Sequence, residues 1–182
     1  MSYHIILGVT GSIAAYKAVE VVSGLIKQGN KVTVIMTSCA QRFVTPITFQ
    51  TISKNKVITD LFIDTENYDP EHVSLAEQAD LIVVAPATAN FIGKVASGIA
   101  DDALTCTVMA TRSDVVIAPA MNDSMYMNPV VKENVNKLKG LGYIIIEPEK
   151  GRLCTGKVGI GRLASVETIV KTINKVLKKK RI

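Results

Sequence analysis

Short apolar runs recur along the chain at 3–9 (YHIILGV), 31–37 (KVTVIMT), 80–86 (DLIVVAP), 114–120 (DVVIAPA) and 143–148 (YIIIEP). They are brief, rich in Val and Ile, and do not alternate apolar with polar residues. Runs of that kind are strands covered on both faces, which implies a mostly parallel sheet between layers of helix. Apolar spacing near three to four residues predicts helices over 12–29, 93–112, 128–142 and 165–180, the first closed by Gly29. Strand and helix therefore alternate, which argues for a doubly wound α/β fold in one domain spanning 1–182. Ligands of such folds bind outside the carboxyl ends of the strands. The residues that follow each run are where chemistry is to be sought.

A chain of 182 residues that is 48% apolar can bury one sizeable core. Lys178, Lys179, Lys180 and Arg181 account for most of the net charge of +5, so no broad basic face for nucleic acid is implied. Residues 178–182 read as a solvated basic tail. Cys39, Cys106 and Cys154 contain no CxxC pair, which suits reduced thiols and neither a disulfide framework nor a metal site. The chain enters its first strand without a charged leader, and no apolar run reaches membrane length. The expectation is a cytoplasmic protein with no membrane partner. Residues 60–71 read as an acidic loop, and 148–164 as a Gly-rich loop long enough to be functional.

The stretch GVTGSIAAYKA (8–18) joins the first strand to the first helix. Gly8 and Gly11 permit a tight turn, and the backbone of Gly11, Ser12 and Ile13 sits where N–H groups and the helix dipole meet an anion. The stretch is not G-x-G-x-x-G and lacks the Lys-Ser/Thr ending of a P-loop. Nor does the second strand end in the acid that holds a ribose diol. It offers the hydroxyls of Thr37 and Ser38, which suit a terminal phosphate monoester, and this favours a mononucleotide over a merely structural turn.

After the run at 80–86, Pro86 is expected to stop the strand. Thr88 and Asn90 can then hydrogen-bond, while Ala87 and Ala89 let a flat ring approach. Alone, this stretch reads more readily as an ordinary helix start capped by Asn90. The run at 114–120 also ends Ala-Pro-Ala and is followed by Met121 and Asn122. Two adjacent strands ending alike form two walls of one crevice. For Asn122 itself two readings stand: a helix N-cap with Met125 filling core, or a functional amide at the mouth of that crevice.

Together these stretches resemble the homo-oligomeric flavin-containing cysteine decarboxylases, in order and over nearly the whole chain. GVTGSIAAYK (8–17) is similar to the family's FMN phosphate loop. PATANF (86–91) is similar to its PASANT motif, with Thr88 for Ser and Phe91 for Thr. PAMNDSMY (119–126) is similar to PxMNxxMW, with Tyr126 for Trp, and is the most specific match. His72 falls where the family keeps its active-site histidine. The resemblance implies a Rossmann-like, flavodoxin-like sheet with FMN held by Gly11, Ser12, Ile13, Thr37, Ser38, Thr88, Ala89, Asn90 and Ala120. It also implies that Asn122 binds a cysteinyl carboxylate, that Met125 shapes an apolar pocket, and that His72 is the base, an imidazole being suited to neutral pH.

The branch that matches most closely acts on 4′-phosphopantothenoylcysteine in coenzyme A biosynthesis. Flavin oxidation of the thiol gives a thioaldehyde, CO₂ leaves an enethiolate, and the electrons return to give 4′-phosphopantetheine. Such a small phosphorylated cysteine conjugate needs cations, for which Arg152 is the candidate, with Lys157 and Arg162 beside it in sequence. The family places FMN between subunits, so a trimer or a dodecamer built of trimers is expected, and the small-residue surface VASGIADDAL (95–104) suits that. In one place the chain departs from its relatives, which carry Ala-Cys-Gly-x-x-G. Aligned on Gly156, Gly159 and Gly161, the cysteine column falls on Thr155 and Cys154 stands one residue early. A threonine hydroxyl is too weak an acid to replace a thiol of reference pKa about 8.5, so Cys154 is the expected proton donor. Rival readings are a lantibiotic-type peptidyl-cysteine decarboxylase and a non-catalytic FMN-binding phosphatase-regulatory subunit. A flavin prenyltransferase is disfavoured by PxMN and His72.

Overall fold

The apolar runs form strands. In the computed structural model, which describes residues 2–62, 71–153 and 156–179, β1 (His4–Val9), β2 (Lys31–Met36), β3 (Val57–Ile58), β4 (Leu81–Ala87), β5 (Val115–Pro119) and β6 (Ile144–Ile145) make one six-stranded sheet. Its order is β3-β2-β1-β4-β5-β6 and every pairing is parallel. This is the Rossmann order, with its reversal point between β1 and β4.

The runs lack alternation because both faces of each strand are covered. Ile5, Leu7 and Val9 face a core shared with α1 (Ala15–Lys27) and α8 (Val166–Lys179). Ile6, Ile82, Val84 and Ile117 face the opposite core. There they meet α4 (Ala89–Ala96), α5 (Ala103–Ala110) and α7 (Pro129–Gly140). The remaining helices are α2 (Pro46–Ser53), α3 (Glu71–Gln78) and the single turn α6 (Asp123–Tyr126). The two short elements α2 and β3 add to what the periodicity indicates.

Three expectations are corrected. Residues 93–112 are not one helix. α4 ends at Ala96, and Asp102 starts α5 by accepting from Thr105 N while Thr105 Oγ1 takes the Asp102 N–H, a reciprocal cap. Pro86 does not stop its strand, since β4 runs through it to Ala87, which pairs with Pro119. The ladder is irregular between Val84 and Ala87, around a residue with no N–H to give it. Nor is 148–164 a plain loop. Within it β7 (Glu149–Arg152) and β8 (Val158–Arg162) pair antiparallel as a hairpin outside the main sheet.

Candidate active site

A cleft of about 930 Å³ opens at the carboxyl edge of the sheet, over the reversal point. Its floor is organised by Thr10, which is 2% exposed at the end of β1. The Thr10 hydroxyl donates to Pro86 O at 2.8 Å and accepts from Thr88 N at 3.0 Å. One side chain thus clamps the ends of β1 and β4 together and leaves the crevice between them.

The first wall is the turn into α1. Ser12 N donates to Thr10 O, and Ser12 Oγ accepts from Ala14 N. No side chain caps α1, and the N–H groups of Gly11 and Ile13 have no acceptor among the described residues. Free amides at a helix N-terminus are a ready anion site. Gly11 must be glycine here, because a Cβ would lie 2.4 Å from Cys39 Cβ. That close approach brings Thr37, Ser38 and Cys39 to the same end of the cleft. Thr37 Oγ1 accepts from Ala40 N, which fixes it there.

The second wall is the start of α4, where the cap is Thr88 and not Asn90: Thr88 Oγ1 accepts from Phe91 N. Asn90, relieved of capping, lies exposed on the cleft lining next to Ala89. One turn on, Lys94 also lines the cleft. Its ammonium lies 2.7 Å from Asp101 and 3.5 Å from Asp102, and these contacts raise its pKa while Lys94 lowers that of Asp101.

The third wall follows β5. Ala120 N donates to Ala87 O, holding the two Ala-Pro-Ala ends side by side. Asn122 caps α6, its Oδ1 accepting from Ser124 N at 2.9 Å. The cap reading holds for Asn122, but Met125 is exposed and does not fill core; capping uses the carbonyl oxygen and leaves the NH₂ group of this cleft-lining residue as a donor. Met121 and the half-exposed Met125 surround it with thioether.

The hairpin roofs this wall. Met121 N donates to Gly161 O at 2.9 Å. Gly161 has φ +137°, and a Cβ there would lie 2.3 Å from Met121 O, so only glycine lets β8 lie so close. Arg152 and Arg162 are thereby carried to the cleft, whereas Lys157 is exposed away from its lining. Cys154, and Thr155 after it, lie outside the described residues. His72 sits half-buried in the first turn of α3, on the carboxyl side of the sheet where crossover helices begin, but it is not part of the cleft lining.

The family model described as Flavoprotein matches residues 1–178. The chain belongs to the Flavoprotein family. Relatives of this flavoprotein include the coenzyme A biosynthesis bifunctional protein CoaBC of Borreliella burgdorferi, 51% identical over 93% of this chain and 43% of that protein. The chain thus spans well under half the length of such bifunctional relatives. It matches the full length of a probable phosphopantothenoylcysteine decarboxylase of Streptococcus mutans, at 41% identity over 97% of this chain. Among solved structures, the FMN-dependent cysteine decarboxylase SpaF superposes with TM-score 0.87 at 32% identity over 99% of this chain and 98% of its own. A cysteine-to-serine mutant of PPC decarboxylase, complexed with pantothenoylaminoethenethiol, superposes with TM-score 0.88 at 27% identity over 98% of this chain and 100% of its own.

The cleft of this flavoprotein fits FMN on its own chemistry. The free amides of the α1 turn and the hydroxyls at 37–38 can take a terminal phosphate, no acidic residue lines that end, and the volume lies within the usual roughly 300–1,000 Å³ of cofactor sites. Thr10 and Lys94 escape a reading of the sequence. A strand-end threonine carries no local signal, and its partner Pro86 is 76 residues away. Lys94 was hidden inside an expected continuous helix, although the Asp102-x-x-Thr105 spacing was visible as a cap pattern. Among the described residues no group of His, Cys, Asp or Glu is placed to hold a metal ion, and no helix is long and apolar enough to cross a membrane.

Proposed function

We propose that this chain decarboxylates 4′-phosphopantothenoylcysteine to 4′-phosphopantetheine, in coenzyme A biosynthesis. The observation that carries the reading is the meeting of three kinds of anion-accepting group in one cleft: the amide cradle at Gly11–Ile13, the Asn122 amide, and the guanidinium groups of Arg152 and Arg162. They match a cofactor phosphate, a substrate carboxylate and a substrate phosphate. Bound FMN supplies the reversible two-electron oxidation of the substrate thiol.

The remaining work falls to side chains. Asn122 Nδ2 donates to the carboxylate without the full positive charge that would hold it in its ground state. Met121 and Met125 strip water from a group that leaves as neutral CO₂. Arginine forks take the substrate phosphate through paired hydrogen bonds. His72 acts as base, and because it does not line its own chain's cleft it serves the cleft of a second copy. The assembly is accordingly a trimer or a dodecamer of trimers in the cytoplasm. The exposed segment 97–101 between α4 and α5 forms part of the contact. Cys154 supplies the last proton, and residues 148–164 cover the substrate.

The experiment is a choice of substrates. FMN-loaded protein receives phosphopantothenoylcysteine or a peptide ending in cysteine, with products followed by mass. Turnover of the phosphorylated substrate alone is expected. Preferential turnover of the peptide would overturn the reading in favour of a peptidyl-cysteine decarboxylase.

A further inference from the structure

Tyr126 ends α6 and is 6% exposed, yet it faces away from the cleft. It borders a second, smaller cavity with Ile160 of β8 and Lys139 of α7. Its hydroxyl donates to Glu147 Oε2 at 2.7 Å, and the other oxygen of Glu147 takes the ammonium of Lys139. Glu147 lies two residues before β7, at the root of the hairpin. The bonds join two elements that furnish the cleft: the α6 turn, which carries Asn122 and Met125, and the hairpin, which carries Arg152 and Arg162. The ring alone would fill the space, and the hydroxyl adds a directed bond to Glu147.

The chemistry suits a rigid link. Burial and the adjacent carboxylate push the Tyr126 phenol well above its ordinary range, while Lys139 and the phenol hold Glu147 below its own. A phenol donating to an ionised carboxylate is a charge-assisted bond, stronger than one between neutral groups. Among the described residues, other bonds also fasten the hairpin. Met121 N bonds Gly161 O, and Glu149 Oε1 accepts from Ser165 N at 2.7 Å.

We propose that Tyr126 is a positioning residue, and that the Tyr126–Glu147–Lys139 link sets the hairpin at the distance from Asn122 that matches a phosphorylated substrate. Its effect on turnover rests on the function proposed above, whereas its effect on the hairpin does not. Tyr126→Phe keeps the buried ring and removes the link, and Glu147→Leu, which has no acceptor, removes it from the other side.

The test is amide hydrogen exchange by mass spectrometry on FMN-loaded protein, paired with steady-state kinetics. In both variants the hairpin amides should exchange about tenfold faster, as expected on losing one hydrogen bond to a charged group, while β1 and β4 keep the parent rates. FMN affinity and kcat should be held, with KM rising several-fold. The double variant should be no worse than the Glu147 variant alone, because removing Glu147 already removes the bond to Tyr126. Unchanged hairpin exchange, equal loosening of the main sheet, or additive effects in the double variant would each overturn the proposal. If the parent protein fails to decarboxylate, the function is wrong, but the exchange result still decides the link.

Discussion

The amide of Asn122 is divided between two tasks, and the division makes it testable. Aspartate caps a helix as well as asparagine does. Asn122→Asp should therefore leave the melting temperature and FMN binding close to parental. It also places a negative charge against the substrate carboxylate, a repulsion of several kcal/mol in a poorly solvated pocket, so decarboxylation should be lost. Surviving activity would reduce Asn122 to a cap. Thr10→Val should act the other way. It removes a buried hydroxyl that satisfies both Pro86 O and Thr88 N, so urea denaturation should show about 1–3 kcal/mol less stability, with weakened FMN binding. For Cys154→Ser we expect CO₂ release to continue and a dehydrogenated product to accumulate, read by mass. Phosphopantetheine made at the parental rate would mean that the proton comes from elsewhere. Of these residues Asn122 was legible in sequence as a helix cap, although a sequence does not show that the cap uses one end of the amide and leaves the other free for the proposed donor role. Thr10 was not legible at all.

At the scale of elements, the main strands were readable because each buries both faces, which leaves an uninterrupted apolar signature. The hairpin was not. Its strands are short, lie outside the main sheet and are only partly buried, so they carry no continuous hydrophobicity. The break between α4 and α5 was hidden because apolar spacing continues across it. The hairpin's seat makes a prediction of its own. Gly161→Ala adds a Cβ at φ +137°, where an L residue is strained, and aims it at Met121 O. The backbone strain alone costs about 1–3 kcal/mol. The hairpin should lift from the PAMN segment, seen as faster exchange of the Met121 amide and a raised KM, while the FMN site stays intact. Unchanged exchange at Met121 would show that β8 is not seated there.

At the scale of the whole molecule, the position of His72 outside the cleft of its own chain requires a second copy if it is the base. An inactive His72→Asn variant mixed and reassembled with an inactive Asn122→Asp variant should regain activity, since some shared sites receive both intact residues. No recovery, or a fully active monomer by light scattering, would remove His72 from this role. Far from the cleft, His4 at the start of β1 is held below its ordinary value near 6.5 by burial and then by Lys31, and its Nε2 contacts Thr33 Oγ1. The unfolded chain therefore takes up this proton first, so the His4 contribution is complete above 6.5 and is lost as pH falls below it. His4→Gln should flatten the dependence of the urea midpoint on pH in that window, and an unchanged slope would assign it to other groups.

In the proposed reaction the cleft removes the cysteinyl carboxylate of a phosphorylated substrate, with Asn122 as the group that holds it. Its most direct measurement is the release of labelled CO₂ from carboxyl-labelled phosphopantothenoylcysteine by the FMN-loaded protein, run beside Asn122→Asp loaded to the same flavin content. Rapid release is expected from the parent and none above background from the variant. Equal release from both, or none from the parent, would contradict it.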